Sequence, residues 1–272
     1  MRLFTLLFLF LVCLPAAAHA TLLITPLKVV MEGRDRTANI VVVNTGQYEA
    51  TYRMEWEQLI QVQDKGGYIL DTNEESTHLK DFAVFTPRQI TLQPQEKQTV
   101  RVAIRRPGEL PVGEYKSHLK FRVVDDGKVG TPNLDNPNTN EVSVGARVLA
   151  SYSLPIVYRV GEQDVQVSIM NPEFAINPAS GNMLIKLPVQ RSGVHGVLGL
   201  IEVYHRPNGG EETLVSTLGN SSLFSEITQR IFTIVTNLTG LSPGTMRIVF
   251  KKDEKMKADQ VVIAERSIAI TN

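Results

Sequence analysis

Strand signals recur about every ten residues along this chain, and that spacing constrains its fold more than any other feature. The first half contains ANIVVVNTG and QTVRVAIRRP, which alternate or run in β-branched and apolar residues and end at Gly or Pro. The second half repeats the pattern with RIFTIVTNL and TMRIVFKK. Helical periodicity is hard to find between these segments. Short strands with regular turn signals predict an all-β chain made of β-sandwiches.

The length and one long strand indicate where the chain divides. The 272 residues are enough for two domains of ordinary size. We place the boundary directly after an apolar strand that ends at Arg159, which gives an N-terminal domain over 21–159 and a C-terminal domain over 160–272. Because almost no linker remains, we expect two sandwiches joined at a fixed angle with a cleft between them.

The first twenty residues predict export. They read MRLFTLLFLFLVCLPAAAHA, in which Arg2 precedes an apolar run and Ala18-His19-Ala20 fits a small-x-small cleavage site. The run is too short for a membrane anchor, so we interpret residues 1–20 as a signal peptide. The single cysteine, Cys13, leaves with it, and the mature chain therefore has no disulfide to stabilise it.

The charge balance and the absence of known motifs exclude several classes of function. Lys and Arg number 28 and so do Asp and Glu, and no basic run occurs, which argues against a nucleic-acid or anionic-membrane partner. We find no catalytic motif, no metal-spaced Cys/His set and no phosphate-binding loop. The sequence thus predicts no enzyme, metal, cofactor or small-molecule substrate. His118, within SHLKF, could face a cleft, although a structural or surface histidine is the simpler interpretation.

The longest strand signal is Glu141–Arg159, EVSVGARVLASYSLPIVYR, which follows the polar loop DDGKVGTPNLDNPNTN. Strands average about 5–6 residues, so this run is about three times longer than usual. One parity is a continuous apolar row, and the other is largely polar. The row consists of Val142, Val144, Ala146, Val148, Ala150, Tyr152, Leu154 and Ile156.

Two interpretations of this strand are open. It could be an ordinary sandwich strand that packs its whole apolar row inward. Alternatively, only the later part packs into the core of its own domain, and the earlier part forms an edge whose apolar side chains await another chain. An exposed apolar edge is an aggregation hazard unless a partner covers it. Addition of a partner strand would cover it with backbone hydrogen bonds and side-chain pockets.

The order of these segments resembles the PapD-like periplasmic chaperones of the chaperone–usher pilus pathway. The resemblance starts at LLITPLKVVMEGRDRTANIVVVNTG, continues through FTPRQITLQPQEKQTVRVAIRRP and LPVGEYKSHLKFRV, and ends at PIVYR. It covers most of the N-terminal domain and is weak in the second. The GEYKSHLKFRV segment is more similar to the divergent, archaic-type branch than to the best-known one.

The resemblance implies two immunoglobulin-like domains and a periplasmic chaperone that takes part in fimbrium biogenesis. Such a chaperone binds pilus subunits that lack their last strand and fills the exposed groove with its own edge strand, which is called donor-strand complementation. It then delivers the subunit to an outer-membrane usher without a cofactor. The donated row would be Val142, Val144, Ala146, Val148 and Ala150.

The resemblance also implies basic residues that hold the C-terminal carboxylate of the subunit. Lys28 falls at the position of the first-strand basic residue, but Pro155 stands where the family has its last-strand lysine. Arg147 and Arg159 are the available substitutes. Arg159 could instead form a salt bridge with Glu114 that fixes the domain angle. A charge-assisted pair between an anchoring cation and the carboxylate of the subunit is a sound way to fix the register of the bound strand.

Two other classes of function remain open from the residues. One is a periplasmic enzyme on a β-sandwich scaffold, which the lack of a catalytic arrangement disfavours. The chain could be an exported two-domain adhesin or pilus-associated binding protein, with complete sandwiches and a long strand that is fully paired internally. Such a protein would bind its target through loops. A chaperone, in contrast, would hold a small subunit that is unstable alone.

Overall fold

The computed structural model describes residues 22–63, 67–73, 77–105, 110–124, 150–240, 242–252 and 261–271. Within these ranges the chain is built of strands, and the helical segment is a single 3₁₀ turn at Leu79–Asp81. No helix in the described ranges is long and apolar enough to cross a membrane. The predicted fold class is confirmed: two immunoglobulin-like β-sandwiches are joined at an angle with a cleft between them.

The strands of the first domain form two packed sheets and one hairpin. Their bounds are β1 (Leu22–Thr25), β2 (Val29–Glu32), β3 (Thr37–Asn44), β4 (Ala50–Glu57), β5 (Leu59–Gln61), β6 (Tyr68–Leu70), β7 (Ala83–Thr86), β8 (Gln89–Leu92), β9 (Lys97–Ile104), β10 (Gly113–Val123) and β11 (Ser151–Val160). One sheet has the order β1-β3-β9-β7 and the other β2-β11-β10-β4-β8, while β5 and β6 pair with each other.

The first strand signal of the domain divides between the two sheets. β1 pairs antiparallel with β3, whereas β2 pairs parallel with β11 in the opposite sheet. Pro26 lies directly after β1. Because proline cannot donate to a strand ladder, the pairing of β1 with β3 stops there and the chain can cross over. The segment LLITPLKVVME therefore forms two strands, and the second lies beside β11.

The core of the first domain follows from alternation along its strands. Side chains on one parity of β3, β9 and β10 are buried and those on the other parity are mostly exposed or half-buried, as expected for sheets with one face inward. Burying one such apolar side chain stabilises the fold by roughly 1.5–3 kcal/mol. The central buried residues are Ile40, Val42, Val100, Val102, Leu119 and Phe121.

The second domain is also a sandwich. Its strands are β12 (Gln166–Ile169), β13 (Glu173–Ile176), β14 (Met183–Ser192), β15 (Val197–Pro207), β16 (Thr213–Leu223), β17 (Gln229–Val235), β18 (Gly244–Lys252) and β19 (Val261–Ile270). β14 pairs with β12, β13 and β17, and the facing sheet has the order β16-β15-β18-β19. β11 ends at Val160 and β12 starts at Gln166, so the chain passes from one sandwich to the other in this interval. The boundary after Arg159 stays a prediction.

The β5–β6 hairpin lies against the second domain. The segment ATYRMEWEQLIQV reads as one strand, but β4 ends at Glu57, and Leu59–Gln61 pairs with β6 instead. The buried Gln61 amide nitrogen donates to the Ser222 carbonyl at 3.1 Å, and its amide oxygen accepts from the backbone N–H of Phe224 at 2.9 Å. The hairpin therefore connects the two domains by hydrogen bonds.

A small apolar cluster completes the contact between the domains. Val157 of β11 packs with Leu198 and Phe224 of the second domain, and Val30 of β2 packs against them. This cluster lies on the face of the β2–β11–β10 sheet that points away from the first-domain core. The same face forms the floor of the cleft.

Candidate functional site

Over half of its length, β11 has a neighbouring strand on only one side within the described part of the chain. β11 pairs with β10 from Ser151 to Val160, but β2 covers its other side only from Ile156 to Arg159. Among the described residues, the outer side of 151–155 has no neighbouring strand. The backbone groups on that side can therefore accept an added strand.

The side chains of this open segment alternate as a half-buried strand does. Leu154 and Ile156 are buried in the first-domain core, whereas Ser151 and Ser153 are exposed. The Ser153 hydroxyl donates to the Glu57 carboxylate at 2.7 Å. The later part of the predicted apolar row thus packs inside its own domain, as both interpretations of the long strand expect.

The earlier part of that row lies outside the described residues. Val142, Val144, Ala146 and Val148 fall there, and so does Arg147. Ala150 is described, is exposed, and directly precedes β11. The roles of these residues in strand donation and anchoring stay predictions.

The open edge ends at the cleft, where three residues from neighbouring strands form a row. Because Val29 pairs with Ile156 in a parallel register, Lys28 lies beside Pro155. On the other side of β11, Pro155 pairs with His118. Side chains of paired residues point to the same face of a sheet, so Lys28, Pro155 and His118 share the cleft face.

The cleft contains a pocket of about 170 Å³ beside this row. The first domain contributes Leu27, Lys28, Tyr68 and Pro155 to its lining, and the second contributes Leu198, Asn220, Ser222 and Phe224. Lys28 is only 8 % exposed. Its ammonium is therefore the positive charge that a group entering the pocket from the edge of β11 meets.

His118 is the most unusual polar residue of the cleft. It is 1 % exposed, and neither ring nitrogen has a hydrogen-bond partner among the described residues. The ring of Tyr68 lies edge-on to it, with the centroids 5.2 Å apart. Burial, together with the smaller effect of the Lys116 charge, lowers the pKa of His118 from 6.5 to about 3, and Glu57 opposes both effects. His118 is therefore a neutral imidazole at physiological pH.

Lys116 lies on the same face and is already engaged. Its ammonium pairs with Glu226 and lies 4.1 Å from the ring centroid of Phe224. Burial lowers the pKa of Lys116, while Glu226 raises it. Glu226 also accepts a hydrogen bond from the backbone N–H of Gln61 at 3.1 Å. This pair therefore holds the second domain and the hairpin against β10.

The structure brings Glu114 and Arg159 together at the joint between the domains. The Arg159 Nε donates to Glu114 Oε2 at 3.0 Å, and the two side chains are 2 % and 0 % exposed. Glu114 also accepts from the backbone N–H groups of Gly196 and Ser225 at 3.0 and 3.1 Å. Arg159 Nη2 donates to the Gly196 carbonyl at 2.8 Å.

This network bears on the two roles predicted for Arg159. Its contacts reach from β11 into the second domain, which favours the role in fixing the domain angle. As a carboxylate anchor it is less favourably placed than Lys28, because its guanidinium is buried and already bonded to Glu114. Both roles stay predictions.

No protein-family model and no curated protein matches this sequence. The fold is similar to that of the chaperone YadV, with 10 % identity, a TM-score of 0.48 and coverage of 92 % of this chain and 100 % of that one. It is also similar to the CsuC–CsuE chaperone–tip adhesin pre-assembly complex from archaic chaperone–usher Csu pili of Acinetobacter baumannii, with 14 % identity, a TM-score of 0.45 and coverage of 90 % and 99 %. A third similar structure is the Salmonella enterica SafA pilin in complex with the SafB chaperone, with 11 % identity, a TM-score of 0.46 and coverage of 94 % of this chain and 99 % of that one.

Pilus chaperones thus recur among the structural neighbours.

Proposed function

We propose that this protein is a periplasmic chaperone that binds pilus subunits by lending them a strand, and that it hands them to an outer-membrane usher. The observation that carries the proposal is the open edge of β11 beside the cleft. The polar residues Ser151 and Ser153 keep this edge soluble while it waits for a partner.

The described part of β11 also indicates which face a partner would use. Leu154 and Ile156 point into the first-domain core. Because side chains alternate along a strand, Ala150 and Val148 have the same parity as Leu154. An upstream continuation of β11 would therefore present an apolar row that the chaperone's own core no longer covers. A subunit that lacks a strand would fill its groove with that row.

The position of β2 determines where an added strand must stop. β2 occupies the edge of β11 from Ile156 onward, so an added strand that runs parallel to β11 ends beside Lys28. A chain that ends there brings its terminal carboxylate to the Lys28 ammonium. A charge-assisted hydrogen bond in this half-enclosed cleft sets the register of the bound strand.

Nothing in this function requires covalent chemistry, a nucleotide or a metal. Among the described residues, no group of His, Cys, Asp or Glu could hold a metal ion. The work of the protein is to cover an exposed groove until another strand replaces it.

The proposal is tested with a strand-deficient pilus subunit, refolded in the presence of the protein and separated by size-exclusion chromatography. Burying one Val contributes roughly 1.5–3 kcal/mol, and a charge at that place would also be buried unpaired. Val144→Asp should therefore abolish the complex, while the matched variant Ser143→Asp, on the opposite parity, retains it.

Denaturant melts of the free variants complete the test. The chaperone function predicts little loss of stability for Val144→Asp without a subunit. An adhesin with a fully paired inner strand predicts a large loss instead. A large loss in the free protein would refute the donor-strand function.

A further inference from the structure

The buried imidazole of His118 has no function in the fold that its contacts account for. Most buried polar side-chain atoms in proteins have a hydrogen-bond partner, and exceptions require an explanation. His118 has two such atoms without a described partner, and its one ring contact is with Tyr68. A hydrophobic side chain of similar size would pack there at less cost.

The place of His118 in the sheet suggests what this cost is for. His118 and Lys28 flank Pro155 from opposite sides, and all three share the cleft face. Adjacent strands are about 4.8 Å apart, so the two backbones lie roughly 10 Å apart across β11. Pro155 between them has only a short ring, which leaves room above it. An anion seated over Pro155 would lie between the ammonium of Lys28 and the imidazole of His118.

We propose that His118 is a second contact for the anionic end of the bound chain and takes up a proton when that anion binds beside Lys28. The inference rests on the proposed function, since it assumes a partner strand whose carboxyl end reaches the cleft. It adds that capture of the partner is linked to pH.

The charges around His118 explain why the free protein keeps it neutral. Lys116 and Lys120 lie on the same face of its own strand, Lys28 lies beyond Pro155, and Glu57 faces it from β4. Two of these charges are already paired, because Lys120 bonds to Glu57 at 2.8 Å. Lys116 is likewise paired with Glu226. A further negative charge in the pocket therefore decides whether the imidazole can hold a proton.

Tyr68 controls access to His118. It covers the imidazole from the side of the hairpin and also lines the pocket. Tyr68 is 41 % exposed, and side-chain hydrogen bonds to Ser222 and Gln61 hold its hydroxyl, so its ring turns toward solvent only when an incoming chain breaks these bonds. Turning uncovers the imidazole to the pocket in which Lys28 lies.

The sign of the linkage follows from the two pKa values. In the free protein the pKa of His118 is about 3, and in the complex the anion raises it. The complex thus binds more protons than the free protein, and affinity increases as the pH falls. If the pKa of the complex reaches the ordinary 6.5, binding becomes about thirty-fold tighter between pH 7.5 and pH 5. A peptide carboxylate stays ionised over this range.

The test uses a short synthetic peptide of alternating valine and threonine in two forms, with a free terminal carboxylate and with a terminal amide. Carbon-13 NMR of histidine-labelled full-length protein follows His118 in both titrations, and His205 in the second domain is the internal control. The free-acid peptide should raise the pKa of His118 and bind more tightly at pH 5, whereas the amide should do neither. His118→Gln keeps a neutral donor and should lose the pH dependence.

Each outcome separates this inference from the proposed function. If both peptides bind but the affinity of the free acid rises less than about threefold between pH 7.5 and pH 5, relative to the amide, the role of His118 is overturned and strand addition is retained. Retention of the full gain by His118→Gln would overturn it as well. If neither peptide binds, both the strand-addition site and this inference are refuted.

Discussion

His118 should make the free protein less stable in mild acid, and its replacement should remove that effect. In the folded state its pKa is about 3, against 6.5 for an unperturbed histidine. Between these values the unfolded chain binds a proton at this position and the folded chain does not. The free energy of unfolding therefore decreases as the pH falls from 6.5 toward 3.

The size of the effect at pH 5 follows from the unfolded-state value. The interval from 6.5 to 5 spans about 1.5 pKa units, and each unit corresponds to about 1.4 kcal/mol, so His118 costs about 2 kcal/mol at pH 5. At pH 7.5 the cost is close to zero. A folded-state pKa nearer 4 would change this figure by less than about 0.1 kcal/mol, because pH 5 lies above both values.

Urea unfolding at pH 7.5 and pH 5 measures the difference in the free energy of unfolding. The fluorescence of the single tryptophan, Trp56, which lies in β4 beside β10, monitors the transition. The variants His118→Leu and His118→Gln form a matched pair, since both remove the titrating group and only one keeps a polar side chain. Both should lose about 2 kcal/mol less than the wild type between the two pH values.

A wild type that loses no more stability than either variant would refute the reasoning. That result would mean that the folded imidazole is protonated or reaches water at pH 5. The reasoning would also be refuted if only one of the two variants showed the smaller loss of stability between pH 7.5 and pH 5. The predicted effect depends only on removal of the titrating group, which both variants share.

Two further predictions concern the cleft and the joint between the domains. Lys28→Ala should weaken capture of a strand-deficient subunit by roughly ten- to hundredfold, as expected for loss of one charge-assisted hydrogen bond, and should leave the melting temperature near that of the wild type. Arg159→Ala leaves the buried Glu114 carboxylate without its cation and should instead lower the free energy of unfolding by about 3–5 kcal/mol. Equal losses of stability in the two variants would contradict this division of roles. Gly196→Ala should destabilise the protein by at least about 1–3 kcal/mol, because its Cβ would lie 2.5 Å from Glu114 Oε1 and 2.8 Å from the Leu223 carbonyl. Gly219→Ala, with open space around its Cβ, is the control. Equal melting temperatures of the two variants would contradict the prediction, because they would mean that the contact between the domains adjusts to the added methyl group.

The strand content of this protein could be predicted from local patterns. Alternation in TANIVVVN and KQTVRVAI gives β3 and β9 with the expected buried parity. Two features escaped that reasoning. The segment Thr213–Leu223 forms a strand although Gly219, Asn220 and three serines interrupt its apolar pattern. The segment after Glu57 leaves the sheet to form a hairpin, because pairing with β6 and contacts with the second domain compete with continuation of β4.

The candidate site was only half visible in the residues. Lys28 and the apolar row could be named from a resemblance, and Glu114 could be matched with Arg159 in the same way. His118 could be named only as a histidine in a strand that could face a cleft, and a structural or surface histidine was the simpler interpretation. It lies between Lys116 and Lys120 on the polar parity of β10, which is typical of a solvent-facing row. The signal was the lone histidine in that row, but alternation alone does not show what covers a face.

Sequence by itself determined which segments are strands and which side of each strand is apolar, because both depend on neighbouring residues along the chain. Tertiary structure decided which strands lie side by side, since pairing depends on register between segments that are far apart. Only that pairing leaves the edge of β11 open where β2 ends and places Lys28 and His118 on either side of Pro155. Only the packing of the second domain and the β5–β6 hairpin on this face takes water away from His118, and desolvation is what lowers its pKa.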